Sequence, residues 1–90
     1  MSDFRRRDAT AVLVLAMVDR FDDDGCTITD IQNEMTQLGI GYDSVDSLRV
    51  MVQRAHRRNL LSVINENGSA WYTLDRLGQQ ILATWRAAIG

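Results

Sequence analysis

The stretch Leu61-Ser62-Val63-Ile64-Asn65-Glu66-Asn67-Gly68-Ser69-Ala70-Trp71-Tyr72-Thr73-Leu74 decides how this 90-residue chain is read. Residues 61–65 and 70–74 are strand-like runs, and Glu66-Asn67-Gly68-Ser69 stands between them. Asn-Gly in that position is the strongest short-range signal for a hairpin, because a tight two-residue turn needs positive φ at both central residues. A two-stranded hairpin is marginal by itself in water, so its apolar side chains need helices to cover them.

Working outward, the period changes from two to about 3.6 on both sides. Downstream, residues 75–88 read as a helix whose Leu77, Ile81, Trp85 and Ala88 or Ile89 make an apolar stripe. Upstream, Asp43 or Ser44 caps a helix in which Val45, Leu48, Val52, Ala55 and Asn59 share one side. Asp46, Ser47, Val50, Gln53, Arg54 and Arg57 fall on the opposite side, and Asn59 sits where a left-handed residue would end the helix before Leu60-Leu61. Before the loop 39–42, Thr29 with Gln32 reads as a capping box, and Ile31, Met35 and Leu38 form a stripe closed by Gly39. Cys26-Thr27-Ile28 reads as a short extended piece. The first helix, residues 8–21, carries Ala9, Val12, Leu13, Ala16 and Val18 with Leu15 and Met17 widening the stripe, so it is buried on more than one side. Asp22-Asp23-Asp24-Gly25 ends it, since acids oppose the dipole of a helix C-terminus.

The order is helix, short strand, helix, helix, two-stranded hairpin, helix: an α+β class that is mostly α. Three stretches carry a resemblance. Thr27-Ile28-Thr29-Asp30-Ile31 leads into the second helix, and Arg54-Ala55-His56-Arg57-Arg58-Asn59-Leu60-Leu61 supplies a basic helix end, a turn and an apolar pair. Trp71-Tyr72-Thr73-Leu74-Asp75-Arg76-Leu77-Gly78-Gln79-Gln80-Ile81-Leu82 supplies an aromatic strand, Thr-Leu, and a Gly four residues later. Together they make the chain similar to small winged helix-turn-helix regulators of the MarR or PadR kind. The resemblance implies one winged-helix domain over residues 1–90, with residues 1–7 as a flexible basic arm. It also implies that the third helix enters the major groove of duplex DNA, with the hairpin as a wing beside it. On that carry-over Ser44, Ser47, Val50 and Arg54 face bases while Arg49, Arg57 and Arg58 hold phosphates. The chemistry suits those roles: Arg reads guanine bidentately, Ser bonds adaptably, and Val meets a thymine methyl. Asn67 and Ser69 at the wing tip are further phosphate donors, and Arg5, Arg6 and Arg7 are either a minor-groove arm or, on the plainer and favoured reading, a solubilising terminus. The plainer reading is that the arginines solvate a helix and complement its negative C-terminal end.

Two features depart from the pattern: the wing tip has no Arg or Lys, and Asp46 stands near the start of the third helix. The charge is segregated as well. Ten Arg and no Lys face ten Asp and two Glu, giving a net charge of -2. Residues 1–7 sum to +2, residues 8–46 to -8 and residues 47–90 to +4. One face therefore avoids polyanions while another can meet them. The second class of function, a winged-helix protein-interaction module that contacts a protein partner through its acidic face, explains the net charge better.

The resemblance also implies pairing, since such regulators associate through their terminal helices. The surplus apolar side chains of the first and last helices point the same way. Leu13, Met17, Leu82, Trp85 and Ile89 are the candidate homodimer contacts, and a symmetric pair sets two recognition helices about 34 Å apart; the alternative is that Trp85 and Ile89 close the core of a monomer. No enzyme is expected. The single His56 and single Cys26 lack a third group to orient them, His56 falls near the core edge of its helix as a structural histidine, and the Asp run lacks the spacing of a calcium loop. No cofactor or metal is expected. No apolar run approaches the roughly 20 residues of a membrane span, and the lone cysteine suits a reducing compartment, so the expectation is a cytoplasmic protein without membrane contact.

Overall fold

The computed structural model describes residues 6–21, 23–42 and 44–89, with side chains from Ala11 onward. Four helices and one hairpin follow in the order α1 (Arg6–Asp19), α2 (Ile28–Gln37), α3 (Val45–Arg57), β1 (Leu61–Glu66), β2 (Ser69–Leu74) and α4 (Arg76–Ile89). The expected arm residues 1–5 lie outside the described residues, as do Asp22 and the alternative cap Asp43. Arg6 and Arg7 begin α1, and their side chains also lie outside the description.

The hairpin is the expected one. β1 and β2 are antiparallel with Ile64 opposite Trp71 and Val63 opposite Tyr72, and the turn residues Asn67 and Gly68 take φ of 52° and 78°. The extended piece before α2 shrinks to one residue. Cys26 forms a single bridge to Tyr72, its N–H donating to the Tyr72 carbonyl at 2.9 Å and its carbonyl accepting from the Tyr72 N–H at 2.7 Å.

The cap of α2 also moves. Thr27, not Thr29, is the N-cap, and Asp30, not Gln32, closes the box: Thr27 Oγ1 accepts from the Asp30 N–H at 3.1 Å and Asp30 Oδ2 accepts from the Thr27 N–H at 2.9 Å. The reason is tertiary. The bridge at Cys26 pins the chain in extended form up to Thr27, and the helix starts as soon as that hold ends. α3 starts at the expected Ser44, whose Oγ accepts from the Ser47 N–H at 3.0 Å. It ends at Arg57 with Arg58 as C-cap, and Asn59 follows with φ 62°, where the Asn59 N–H donates to the His56 carbonyl and the Leu60 N–H to the Ala55 carbonyl, both at 3.0 Å. That paired arrangement satisfies the last carbonyls and turns the chain sharply into β1.

The core is built around α1. Val14, Leu15, Met17 and Val18 of α1 are buried with Ile31 and Met35 of α2, Leu48, Val52 and Ala55 of α3, Leu60, Leu61, Tyr72 and Leu82. The width of the α1 stripe thus reflects a helix covered by its own chain, because α2, α3, β2 and α4 all pack on it. α4 meets the core by a different line than its stripe suggests. Gly78 and Leu82 are its buried residues, whereas Leu77 and Ile89 are exposed. Gly78 allows this approach: a Cβ there would overlap the Leu60 carbonyl oxygen, which also accepts from the Asp75 N–H at 3.0 Å.

Candidate nucleic-acid interface

The outward face of α3 follows from its helical phase. With Leu48, Val52 and Ala55 buried, the roughly 100° step per residue turns Asp46, Val50, Gln53, Arg54 and Arg57 away from the core, and all five are exposed. Arg49 and Arg58 flank that face and are exposed, Ser44 is exposed at the cap, and Ser47 is half-buried. The structure therefore brings seven of the eight sequence-chosen DNA residues onto one helix and its two caps. Asn67, the eighth, is exposed at the hairpin tip.

Electrostatics separate these arginines from Arg20 and Arg86. Among the described residues, the ion pairs are Arg20 Nε with Glu34 Oε1 at 2.6 Å and Arg86 Nη1 with Asp19 Oδ2 at 2.9 Å. Arg49, Arg54, Arg57 and Arg58 are in neither. Four exposed guanidiniums against the single carboxylate of Asp46 leave residues 44–58 with a positive sum of +3, a local source of anion attraction on an acidic chain. The other described acids sit off α3: Asp19 at the end of α1, Asp23 and Asp24 in the loop, Asp30 and Glu34 on α2, Glu66 at the end of β1 beside Asn67, and Asp75 before α4. Arg54 and Arg57 also lie in the last turn of α3, where their charge complements the helix dipole whatever else they bind.

The other sequence-chosen residues have different surroundings. Leu13 is partly buried against the core, Met17 and Leu82 are core residues at 5% and 3% exposure, and Ile89 is 69% exposed. Met17 and Leu82 are thus spent on the chain's own interior, since α1 and α4 pack directly on each other. Leu77, exposed at 44%, is an apolar surface residue of α4 that the expected contact set omitted. Its place in the stripe was legible, and its exposure was not. Trp85 is half-buried and lines an open apolar groove of about 510 Å³ between α1 and α4. His56, expected at the core edge, is exposed, because the core line of α3 runs through Val52 and Ala55 and leaves the following position outside.

Cys26 is sealed. Its Sγ donates to the Tyr72 carbonyl at 3.8 Å, and burial, helped by the charge of Asp30, pushes its thiol up to about 12. A thiol held neutral in the core and an exposed imidazole do not form a nucleophile and base pair. No helix among the described residues is long and apolar enough to cross a membrane.

Comparison with solved structures assigns the fold. A PadR family transcription regulator from hypervirulent Clostridium difficile superposes with a TM-score of 0.75 at 14% identity, covering 88% of this chain and 84% of that one. Bordetella bronchiseptica BpsR, whose structure is described as explaining how 6-hydroxynicotinic acid regulates its DNA binding, gives 0.67 at 20% identity, over 84% of this chain and half of that one. F-93 of SSV1 gives 0.64 at 15% identity, over 99% of this chain and 87% of that one. No family model and no curated protein matches the sequence. The fold is a winged helix: four helices with a two-stranded antiparallel wing.

Proposed function

We propose that this winged-helix chain is a sequence-specific regulator of transcription rather than an enzyme, binding duplex DNA in the cytoplasm as a single small domain that pairs with a second copy. The observation that carries the reading is the α3 surface. Arg49, Arg54, Arg57 and Arg58 are exposed, belong to neither ion pair of the described residues, and lie on or beside the face opposite the core line. A stability role has little use for four such groups, while a polyanion satisfies them together. Arg49, Arg57 and Arg58 hold phosphates in this reading. Arg54, Val50, Ser47 and Ser44 read bases, with Ser44 donating its hydroxyl proton while its oxygen stays occupied by the helix cap. Asn67 approaches the backbone from the wing.

The likeness to a transcription regulator from Clostridium difficile and to a protein with regulated DNA binding supports the same reading at the level of fold. Pairing is assigned to the exposed apolar side chains of α4, Leu77 and Ile89, with Trp85 and Leu13 beside them.

The test is binding to a mixed-sequence fluorescent duplex as salt is raised. Affinity is expected to fall along a straight line in log salt, with a slope near 0.9 for each phosphate neutralised. A quadruple Ala replacement of Arg49, Arg54, Arg57 and Arg58 that folds normally and leaves DNA affinity unchanged defeats the proposal. One observation favours the protein-interaction module as the alternative outcome. Ile64 is 62% exposed on the wing, cross-strand from Trp71, where a DNA-facing wing profits from a cation. Pairing with a protein through that apolar surface is far less sensitive to salt.

A further inference from the structure

We infer that the open edge of β1 pairs with β1 of a second copy, joining two wings into one four-stranded antiparallel sheet with the two Ile64 side chains facing each other at its centre. The bridge at Cys26 fixes which backbone groups of the wing point outward. Tyr72 spends both its N–H and its carbonyl on Cys26, so neither is aimed at β1. Val63 stands opposite Tyr72 in the register and therefore turns its own N–H and carbonyl away from β2. The antiparallel alternation repeats this at Asn65, while Ser62, Ile64 and Glu66 bond inward to β2. Among the described residues the sheet has no third strand beyond β1, and no backbone bond outside the ladder takes the groups of Val63 or Asn65.

Such an edge is a template for another strand, and proteins commonly blunt it with Lys, Pro or a bulge. Residues 61–66 contain neither Lys nor Pro, the register runs without a bulge, and the one charge, Glu66, stands at the far end. Ile64 is 62% exposed in the middle of the strand, and its cross-strand neighbour on the same face is Trp71.

The edge is complementary to itself. Setting Val63 against the second copy's Asn65, and Asn65 against the second copy's Val63, forms four backbone hydrogen bonds about a two-fold axis. Ile64 then meets the second copy's Ile64 at a non-hydrogen-bonded position, where side chains approach most closely. One row across the four strands reads Trp71, Ile64, Ile64, Trp71, and it covers the exposed isoleucine on both sides. Glu66 falls opposite the second copy's Ser62, a hydroxyl donor, so neither carboxylate meets a like charge. Other registers lose this match. A slip of one residue sets open groups against groups already bonded to β2, and a slip of two sets Ile64 against Glu66 or Ser62. The paired segment runs over residues 62–66, so the turn of the wing lies outside it, and the contact does not rest on the DNA reading. Two strands of five residues bury far less than the roughly 1,200 Å² of stable pairs, so this contact forms at high protein concentration, and dilute sedimentation reports α4 alone.

Cysteine trapping of the full chain reads both the contact and its register, because Cys26 is buried. Facing residues at non-hydrogen-bonded positions lie about 4.5 Å apart at Cα, a separation that a disulfide spans. Concentrated Ile64→Cys oxidised with diamide is expected to give linked dimers at least tenfold faster than Ser69→Cys, an exposed position of β2 on the same face. Ser62→Cys mixed with Glu66→Cys is expected to link, and neither alone. Equal rates for Ile64→Cys and Ser69→Cys, or no link in the mixture, overturns the proposal. Ile64→Lys, at a site already exposed, is expected to remove the concentration-dependent growth of the sedimenting species, and unchanged growth in that variant is equally fatal. Asn65→Pro, which deletes an edge N–H that the ladder with β2 does not use, is expected to act in the same way. Trapping of Ile64→Cys is expected to persist when Leu77→Asp and Ile89→Asp are added, so the wing contact and the α4 pairing fail separately.

Discussion

Single atoms decide two features of this molecule. At Gly78 the missing Cβ lets α4 approach the Leu60 carbonyl, and both sides of that contact are backbone, which cannot rotate away. Gly78→Ala is therefore expected to destabilise the fold by about 1–3 kcal/mol or more, measured as a lower urea midpoint. Were the midpoint unchanged, the close approach would have no energetic weight. Cys26 is the second feature. With its thiol raised from 9.0 to about 12 by burial and by Asp30, the folded state binds a proton that the unfolded state has lost between those values. Stability from this group is thus complete below pH 9 and declines as pH rises from 9 towards 12. At neutral pH the thiol is expected to react with an alkylating reagent only as fast as the chain opens, and prompt labelling of the native protein would contradict its sealed position.

At the scale of elements, the ends matter more than the interiors. α2 is a ten-residue helix held at its start by the reciprocal bonds of Thr27 and Asp30, and short helices depend on their caps and tertiary packing. Thr27→Ala is expected to cost about 1 kcal/mol, and the double replacement with Asp30→Ala less than the sum of the two, by equilibrium unfolding. Strict additivity would mean that the two bonds act independently. The turn of the wing is as specific. Asn67 and Gly68 hold φ of 52° and 78°, and a β-branched residue at either position is expected to destabilise the hairpin while leaving α3 in place. The wing was legible because Asn-Gly needs no tertiary help. The cap of α2 was misplaced by two residues because both Thr27 and Thr29 are good caps, and only the Cys26–Tyr72 bridge chooses between them.

For the whole molecule, burial separates the residues that hold the fold from those proposed to pair. Leu82 is 3% exposed and Ile89 is 69% exposed on the same helix. Ile89→Asp is expected to leave the fold intact while shifting sedimentation from dimer to monomer, whereas Leu82→Asp is expected to unfold the chain. A dimer that survives both Ile89→Asp and Leu77→Asp would place the pairing surface away from α4. Charge works at this scale too. The positive α3 lies on a chain whose net charge is -2, so on the proposed reading long-range attraction to DNA is weak and the local arginine surface carries the binding. Single removal of Arg58 is expected to lower the salt slope by about one and weaken all sequences alike, while Arg54→Ala changes the preference among them.

Sequence alone determined the element order, the hairpin and the outward face of α3, because each rests on local rules. A two-residue turn demands positive φ, an exposed face repeats with the helical period, and a left-handed Asn59 ends α3 after its basic turn. The positions of the candidate DNA residues came with that phase, since a residue's side of a helix is fixed once three core positions are known. Which apolar residues face out was decided only by tertiary structure. Leu77, Leu82, Trp85 and Ile89 are equally apolar in the sequence, yet packing α4 on the Leu60 corner through Gly78 buries Leu82, exposes Leu77 and Ile89, and leaves Trp85 along a groove. The place of Arg58, which lines that groove and belongs to the arginine surface of α3, was decided in the same way. Its two neighbourhoods come from elements far apart in the chain, and only their packing brings them to one side chain.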